Sequence, residues 1–116
     1  MDEVGAQLAG WGVVAHLTTT GRRSGAPVTT AVGYVPDADG ALLVAAGDPD
    51  ADWARNLEAD PACRVSVGDD TWPATAEPLD GADAQRAVRE LILRYGTPAE
   101  RLGLGPAFRL RRAEGS

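Results

Sequence analysis

Lysine is absent from this chain: all eleven basic side chains are arginine, set against seventeen aspartates and glutamates, for a formal net charge of −6. That balance excludes general binding to the phosphate backbone of nucleic acid, which depends on an excess of positive charge. Cysteine occurs once, at Cys63, so neither an intramolecular disulfide nor a cysteine-based zinc site is available, and a reducing cytoplasmic setting is expected. Histidine also occurs once, at His16. With no carboxylate placed near it by sequence, it reads as structural or solvated rather than as a catalytic base. Aromatic residues make up 5% of the chain, so its three tryptophans and two tyrosines carry much of the large apolar surface. The longest apolar run, Ala41–Ala46, is far short of the roughly 18 residues that a membrane span needs, and no signal-like leader is seen. The expectation is a cytoplasmic protein without an integral membrane segment.

What is present reads as a single domain over residues 1–116, long enough for one core without metals or disulfides. Residues 11–20, WGVVAHLTTT, alternate and are rich in β-branched side chains, and 28–35 repeat that character until Pro36 and the turn DADG. Residues 42–46 form a continuous apolar run of buried-strand type. The period then changes. Asp52 is placed to cap a short helix with Trp53 and Leu57 on one face, stopped at Asp60 and Pro61. Alternation returns in ACRVSV, and the turn GDD leads to a strand over 71–79 in which Pro73 predicts an edge position or a bulge. Asp80 and Asp83 open a second helix in the manner of a capping box. Its apolar face is Ala84, Ala87, Val88, Leu91, Ile92 and Tyr95, and Gly96 and Pro98 close it. A last strand is expected around 107–111, then a frayed tail. About six mostly antiparallel strands with two accessory helices predict a mainly β (α+β) domain, a small β-barrel rather than a parallel α/β sheet.

The stretch TTTGRRSGAPVTT carries the chemistry. Gly21 and Gly25 enclose Arg22, Arg23 and Ser24, a spacing that fits neither a Walker loop nor a dinucleotide fingerprint, and a strand rather than a helix follows. GLGPAF at 103–108 fails the same test, with Phe108 in place of the third glycine. Glycines can still expose backbone N–H groups in a concave nest, and guanidinium forks pair bidentately with phosphate or carboxylate; hydroxyls of Thr18, Thr20 and Ser24 add donors. The alternative is a solvated hairpin. Cys63 lies on the apolar side of its strand and reads as a small buried hydrophobe. Trp53 reads as a plug for the barrel, with contact between Trp53 or Asn56 and a bound ring system as the functional alternative. Charge is uneven, with six arginines against fifteen acids up to Leu93 and five against two from Arg94 onward, so a basic C-terminal edge is a candidate to complete the site.

Taken in order, LTTTGRRSGAPVTTAVGYV, LLVAAG and WARNLEADPACRVSVGDDTWPATAEPL resemble the deazaflavin (F420)-dependent nitroreductase family over roughly residues 11–95. The most specific parts are the T-x-G-R-[RK]-S-G loop and the W-x-x-N-L-x-x-x-P helix. The resemblance implies a split β-barrel related to flavin-mononucleotide-binding oxidoreductases. It also implies binding of coenzyme F420 and hydride transfer from the reduced form to an electron-poor small molecule, a quinone, nitroaromatic or enone. Carried over by position, Thr20, Gly21, Arg22, Arg23, Ser24 and Gly25 match the loop that meets the cofactor's phosphate and glutamate tail. Trp53 and Asn56 match the helix beside the cofactor groove, and Ala45, Ala46 and Gly47 match the strand end against it. Tyr34 and Tyr95 are the candidate proton donors. FMN as prosthetic group and a non-catalytic deazaflavin- or flavin-sequestering protein are the competing readings, and a homodimer that buries Trp11 or Trp72 is a further expectation. The chain departs from the family pattern at AAGDPDAD, which places Asp48, Asp50 and Asp52 near a site meant for an anionic cofactor.

Overall fold

The computed structural model describes residues 14–95 and 105–113. Trp11, the start of the first expected strand, Gly96, Pro98 and the far C-terminal tail lie outside them. Seven strands, β1 (Ala15–Thr20), β2 (Pro27–Val32), β3 (Val35–Pro36), β4 (Leu42–Ala45), β5 (Ala62–Val67), β6 (Asp70–Leu79) and β7 (Ala107–Arg112), form one sheet. Its order is β2-β1-β5-β6-β7-β4-β3, and every pairing is antiparallel. Two helices, α1 (Asp52–Ala59) and α2 (Gly81–Tyr95), complete it. The split-barrel expectation holds. The strand count differs for a physical reason: the run 28–35 is broken at Gly33 and Tyr34 into β2 and β3, which lie on opposite edges of the sheet.

Alternation sets the two faces of the sheet. Ala15, Leu17, Val65, Ala74, Ala76, Leu42, Val44, Phe108 and Leu110 point into the barrel, where α1 adds Trp53, Ala54 and Leu57. Trp53 meets Phe108 at a ring-centroid distance of 6.0 Å and a tilt of 59°, a favourable edge-on arrangement. Residues of opposite parity, Leu43, Ala45 and Ala107, face outward beneath Ala87, Leu91 and Tyr95 of α2. Both faces of β4 are therefore buried, which accounts for its continuous apolar sequence.

Two expectations are corrected. Pro73 stands in an interior strand with uninterrupted one-to-one register to β5, neither at an edge nor in a bulge. Its carbonyl accepts from Ala113 N, so its missing N–H faces the end of β7, where the ladder stops at Arg112 paired with Ala74. Asp52 is the first residue of α1 rather than its cap; buried Ala51 takes that place without a side-chain cap, and the Asp52 carboxylate turns instead to Arg22.

At the barrel seam the Tyr95 hydroxyl accepts from Tyr34 N (3.1 Å) and donates to Tyr34 O (3.3 Å), pinning the end of α2 to the break between β2 and β3. Tyr95→Phe leaves that backbone pair without its partner. The free energy of unfolding should then fall by about 1–3 kcal/mol in denaturant titration, the cost of an unsatisfied buried polar group.

The arginines of β7 pair within the protein, Arg109 and Arg111 on the outer face and Arg112 on the inward one with Trp72. Arg109 bonds Asp37 (2.9 Å) and Glu77 (2.8 Å), Arg111 bonds Glu77 (2.6 Å), and the Arg112 guanidinium lies 4.0 Å over the Trp72 ring. The hydrogen bond from Arg109 holds the Asp37 carboxyl below its usual range, and those from Arg111 and Arg109 do the same for Glu77. Depressed carboxyls stabilise the fold fully above their unfolded pKa values and lose that contribution as pH falls through the lower folded values. The thermal midpoint should therefore drop below about pH 4, and Asp37→Asn combined with Glu77→Gln should flatten that fall in a pH-resolved melting series.

Candidate functional site

The β1–β2 connection, residues 21–26, is a tight turn closed on itself. Gly21 N donates to Ala26 O and Gly25 N to Gly21 O, both at 2.8 Å, and Ala26 N donates to Ser24 Oγ at 3.1 Å. Gly25 sits at φ +73°, where only glycine is unstrained. Arg22 N is taken as well, by Asn56 Oδ1 at 3.1 Å. The sequence suggested a nest of free backbone donors. The structure corrects this: four of the six N–H groups are satisfied within the protein, and those of Arg23 and Ser24 are left. Beyond those two N–H groups, what the loop offers to a ligand is its side chains.

Asn56 organises those side chains. It is 2% exposed. Its Oδ1 also accepts from Arg22 Nη1 at 2.9 Å, and its Nδ2 donates to the buried Thr19 Oγ1 at 3.0 Å. Arg22 extends over the start of α1, where Nη1 reaches Asp52 O (3.4 Å) and Nη2 reaches Asp52 Oδ1 (3.3 Å). Asn56 is thus a latch between loop, strand and helix, and its carboxamide is spent on protein partners. Thr19 was not singled out in the sequence, yet parity places it with Ala15 and Leu17 on the inward face, where a hydroxyl requires a partner.

Two clefts flank the turn. One, of about 270 Å³, is lined by Gly21, Arg22, Arg23, Ser24, Val28, Asp52 and Asn56. The other, of about 420 Å³, is lined by Arg22, Arg23, Asp50 and Arg55. Arg55 pairs with Asp50 at 2.7 Å, whereas Arg23 has no ion pair among the described residues. The Ser24 hydroxyl accepts from the backbone and keeps its own proton; Thr18 is engaged with Thr29 at 2.8 Å across the strands.

The remaining expected site residues fall in two places. Ala45, Ala46 and Gly47 lead through Asp48, whose carbonyl accepts from Ala51 N, into α1, so they share the loop's end of the barrel. They are buried, and the 105–106 segment covers them: Ala46 N donates to Pro106 O, and a Cβ on Gly105 would lie 2.7 Å from both Ala46 O and Asp48 O. Trp53 is inside the barrel and lines neither cleft. Tyr34 and Tyr95 meet at the other end of β2, roughly 17 Å from the turn by strand rise, with the Arg94 guanidinium 4.8 Å from the Tyr34 ring centroid. Arg109 and Arg111 have partners on the outer face and Arg112 lies over Trp72, so none of the three joins the loop. His16 is exposed on the outer face of β1. Burial pushes the Cys63 thiol up to about 11, so it stays protonated and un-nucleophilic near neutrality.

Comparison with known proteins gives a family and a fold. A family model described as F420H(2)-dependent quinone reductase matches residues 1–100. An F420H(2)-dependent quinone reductase of Mycobacterium tuberculosis (strain H37Rv) is 38% identical over 74 residues, covering 61% of this chain and 50% of that one. The match thus spans about half the length of the curated relatives. Among solved structures, an F420-H2-dependent reductase (FDR-A) superposes with a TM-score of 0.71 at 25% identity, over 84% of this chain and 93% of that one. HutZ, a heme storage protein of Vibrio cholerae, shares the fold with a TM-score of 0.71 at 19% identity, over 97% and 92%.

Removing the latch tests its role. Asn56→Ala strands the Arg22 N–H and the Thr19 hydroxyl, and should lower the free energy of unfolding by about 2 kcal/mol. Amide hydrogen exchange at Arg22 should rise by at least tenfold while exchange in β6 keeps its rank order.

Proposed function

The chain belongs to the F420H(2)-dependent quinone reductase family, and on that premise we propose that it binds the deazaflavin coenzyme F420 and reduces a quinone with it. The observation that carries this reading is the latched turn. Asn56 fixes Arg22 through backbone and side chain together, so the adjacent Arg23 and the Ser24 hydroxyl are presented at a defined place, with no competing ion pair on Arg23 among the described residues. A guanidinium and a hydroxyl beside a cleft fit a phosphodiester, because the fork meets two oxygens at once and the hydroxyl a third. When bound, reduced F420 supplies a hydride, which with one proton converts a quinone to its hydroquinone.

The protein's own contribution is placement and exclusion. Arg23 and Ser24 hold the anionic end, and Arg22 stiffens the turn from which they project. Trp53 and Phe108 fill the barrel interior, so the ligand is kept to its outer surface. Of the two tyrosines considered as proton sources, Tyr95 has its hydroxyl proton committed to Tyr34 O, and the role passes to Tyr34 or to water.

Titration of the purified protein with F420 and, in parallel, with FMN, followed by cofactor and tryptophan fluorescence, tests the assignment. F420 should bind, and its reduced form should be oxidised on addition of a soluble quinone. Arg23→Ala should raise the F420 dissociation constant at least tenfold with an unchanged thermal midpoint. Unaltered affinity in that variant, or preferential binding of FMN, would overturn the reading.

A further inference from the structure

The clefts beside the turn carry opposing charges in nearly equal number. Arg22, Arg23 and Arg55 line them, together with Asp50 and Asp52. Asp52 holds Arg22 at 3.3 Å, Asp50 holds Arg55 at 2.7 Å, and Glu58 adds a longer-range negative charge to Arg55. Asp48 Oδ1 accepts from Asp50 N at 2.8 Å, which turns this acidic segment back on itself beside the start of α1. Of the three guanidiniums, Arg22 and Arg55 are paired and Arg23 has no ion pair among the described residues.

We propose that Asp50 and Asp52 set how much negative charge the site accepts, restricting it to a ligand end with a single charge, such as one phosphodiester, and disfavouring a chain of several carboxylates. This deepens the F420 reading and rests on it, because that coenzyme carries a phosphodiester followed by glutamates. The pairs are exposed, with the aspartates 69% and 76% accessible, so each is weak by itself and a competing anion can displace it. Displacement does not remove the carboxylates. They remain tethered to the turn before α1 and to its first residue, favoured there by the helix dipole, and they repel every further negative charge brought to the arginines. A phosphodiester needs only Arg23 and Ser24. A poly-glutamate tail needs Arg22 and Arg55 as well, and meets Asp52 and Asp50 in its way.

The test compares the wild-type protein with the double variant Asp50→Asn/Asp52→Asn. Dissociation constants are measured by cofactor fluorescence for F420 bearing one glutamate and for F420 bearing five or more. Wild type should bind the long-tailed form no more tightly than the short-tailed one. The double variant should bind the long-tailed form at least tenfold tighter than wild type does, with a steeper dependence on salt, and the short-tailed form within about threefold of wild type. Equal gains for both forms, no gain for either, or a wild-type preference for the long tail would overturn the proposal. An independent arm separates it from the coenzyme assignment: arginine Nε–H resonances of both proteins are titrated with dimethyl phosphate and with a tri-glutamate peptide. A fivefold tighter tri-glutamate affinity confined to the double variant supports the charge limit even where no form of F420 binds, which would sink the coenzyme reading alone. F420 binding with no tail dependence in either protein sinks the charge limit alone.

Discussion

Val32 ends the strand on one edge of the sheet and Val35 begins the strand on the other, with Gly33 and Tyr34 between them. Three Cα steps span at most about 11 Å, whereas seven strands laid flat would hold their outer edges about 29 Å apart at the usual spacing. The sheet must therefore curl until its edges meet, and much of the rest follows. A curled sheet encloses a narrow interior, which explains why Ala15, Ala74 and Ala76 line it alongside leucines and valines. The end left open by the curl needs a plug, and α1 provides one with Trp53. The outer face of β4 and β7 at the seam needs a cover, and α2 provides it. Tyr95 then ties that cover to Tyr34, one of the two residues that force the closure.

Placing a plug helix at the mouth of the barrel also creates the site. The α1 helix has one face for the interior, and Asn56 sits at the margin of that face, close enough to the β1–β2 turn to bond it. A polar carboxamide at 2% exposure is tolerable only when its donor and acceptor are both used. Thr19 and Arg22 use them, so the same three bonds that make burial of Asn56 affordable also fix the turn. The site's rigidity is a by-product of hydrogen-bond satisfaction at the barrel mouth, and the turn needs few bonds of its own beyond those that close it.

Much of this was legible in the sequence where a single period governed the outcome. The alternation from Ala15 onward, the α2 face from Ala84 to Tyr95 and the continuous apolar β4 each identify their own burial, because the repeat of 2 or 3.6 residues states which side chains share a face. What was not legible depended on partners far away in the chain. The break at Gly33 is one glycine in a β-branched run, and only the sheet order makes it a crossing from edge to edge. Pro73 breaks a rule for interior strands that applies only where a neighbour is present to receive the N–H; β7 stops there, which no local pattern reveals. Asn56 was found as a residue of interest beside a bound ring system, since helical spacing gives its angle on α1 and not that Thr19 and Arg22 would meet it. At the turn, only the backbone nest differs from the sequence reading: Gly21 and Gly25 serve to close the loop, and closure together with Asn56 uses four of its six N–H groups.

The exclusive use of arginine takes on meaning at this turn. Arg22 directs Nη1 to the Asn56 carboxamide and the Asp52 carbonyl and Nη2 to the Asp52 carboxylate, a division of labour that needs several donors in one rigid plane. A lysine ammonium at the same place is a compact, strongly hydrated point charge on a flexible stem, and would satisfy fewer of these groups in a fixed geometry. The neighbouring Arg23 carries the same fork, with no ion pair among the described residues. Two identical side chains in adjacent positions therefore differ in use: the first is tied to α1 through both Nη groups, and the second has no ion pair among the described residues. The acidic residues of 48–52 belong to the same arrangement, since the Asp52 carboxylate takes the Nη2 group of Arg22 that Asn56 leaves open.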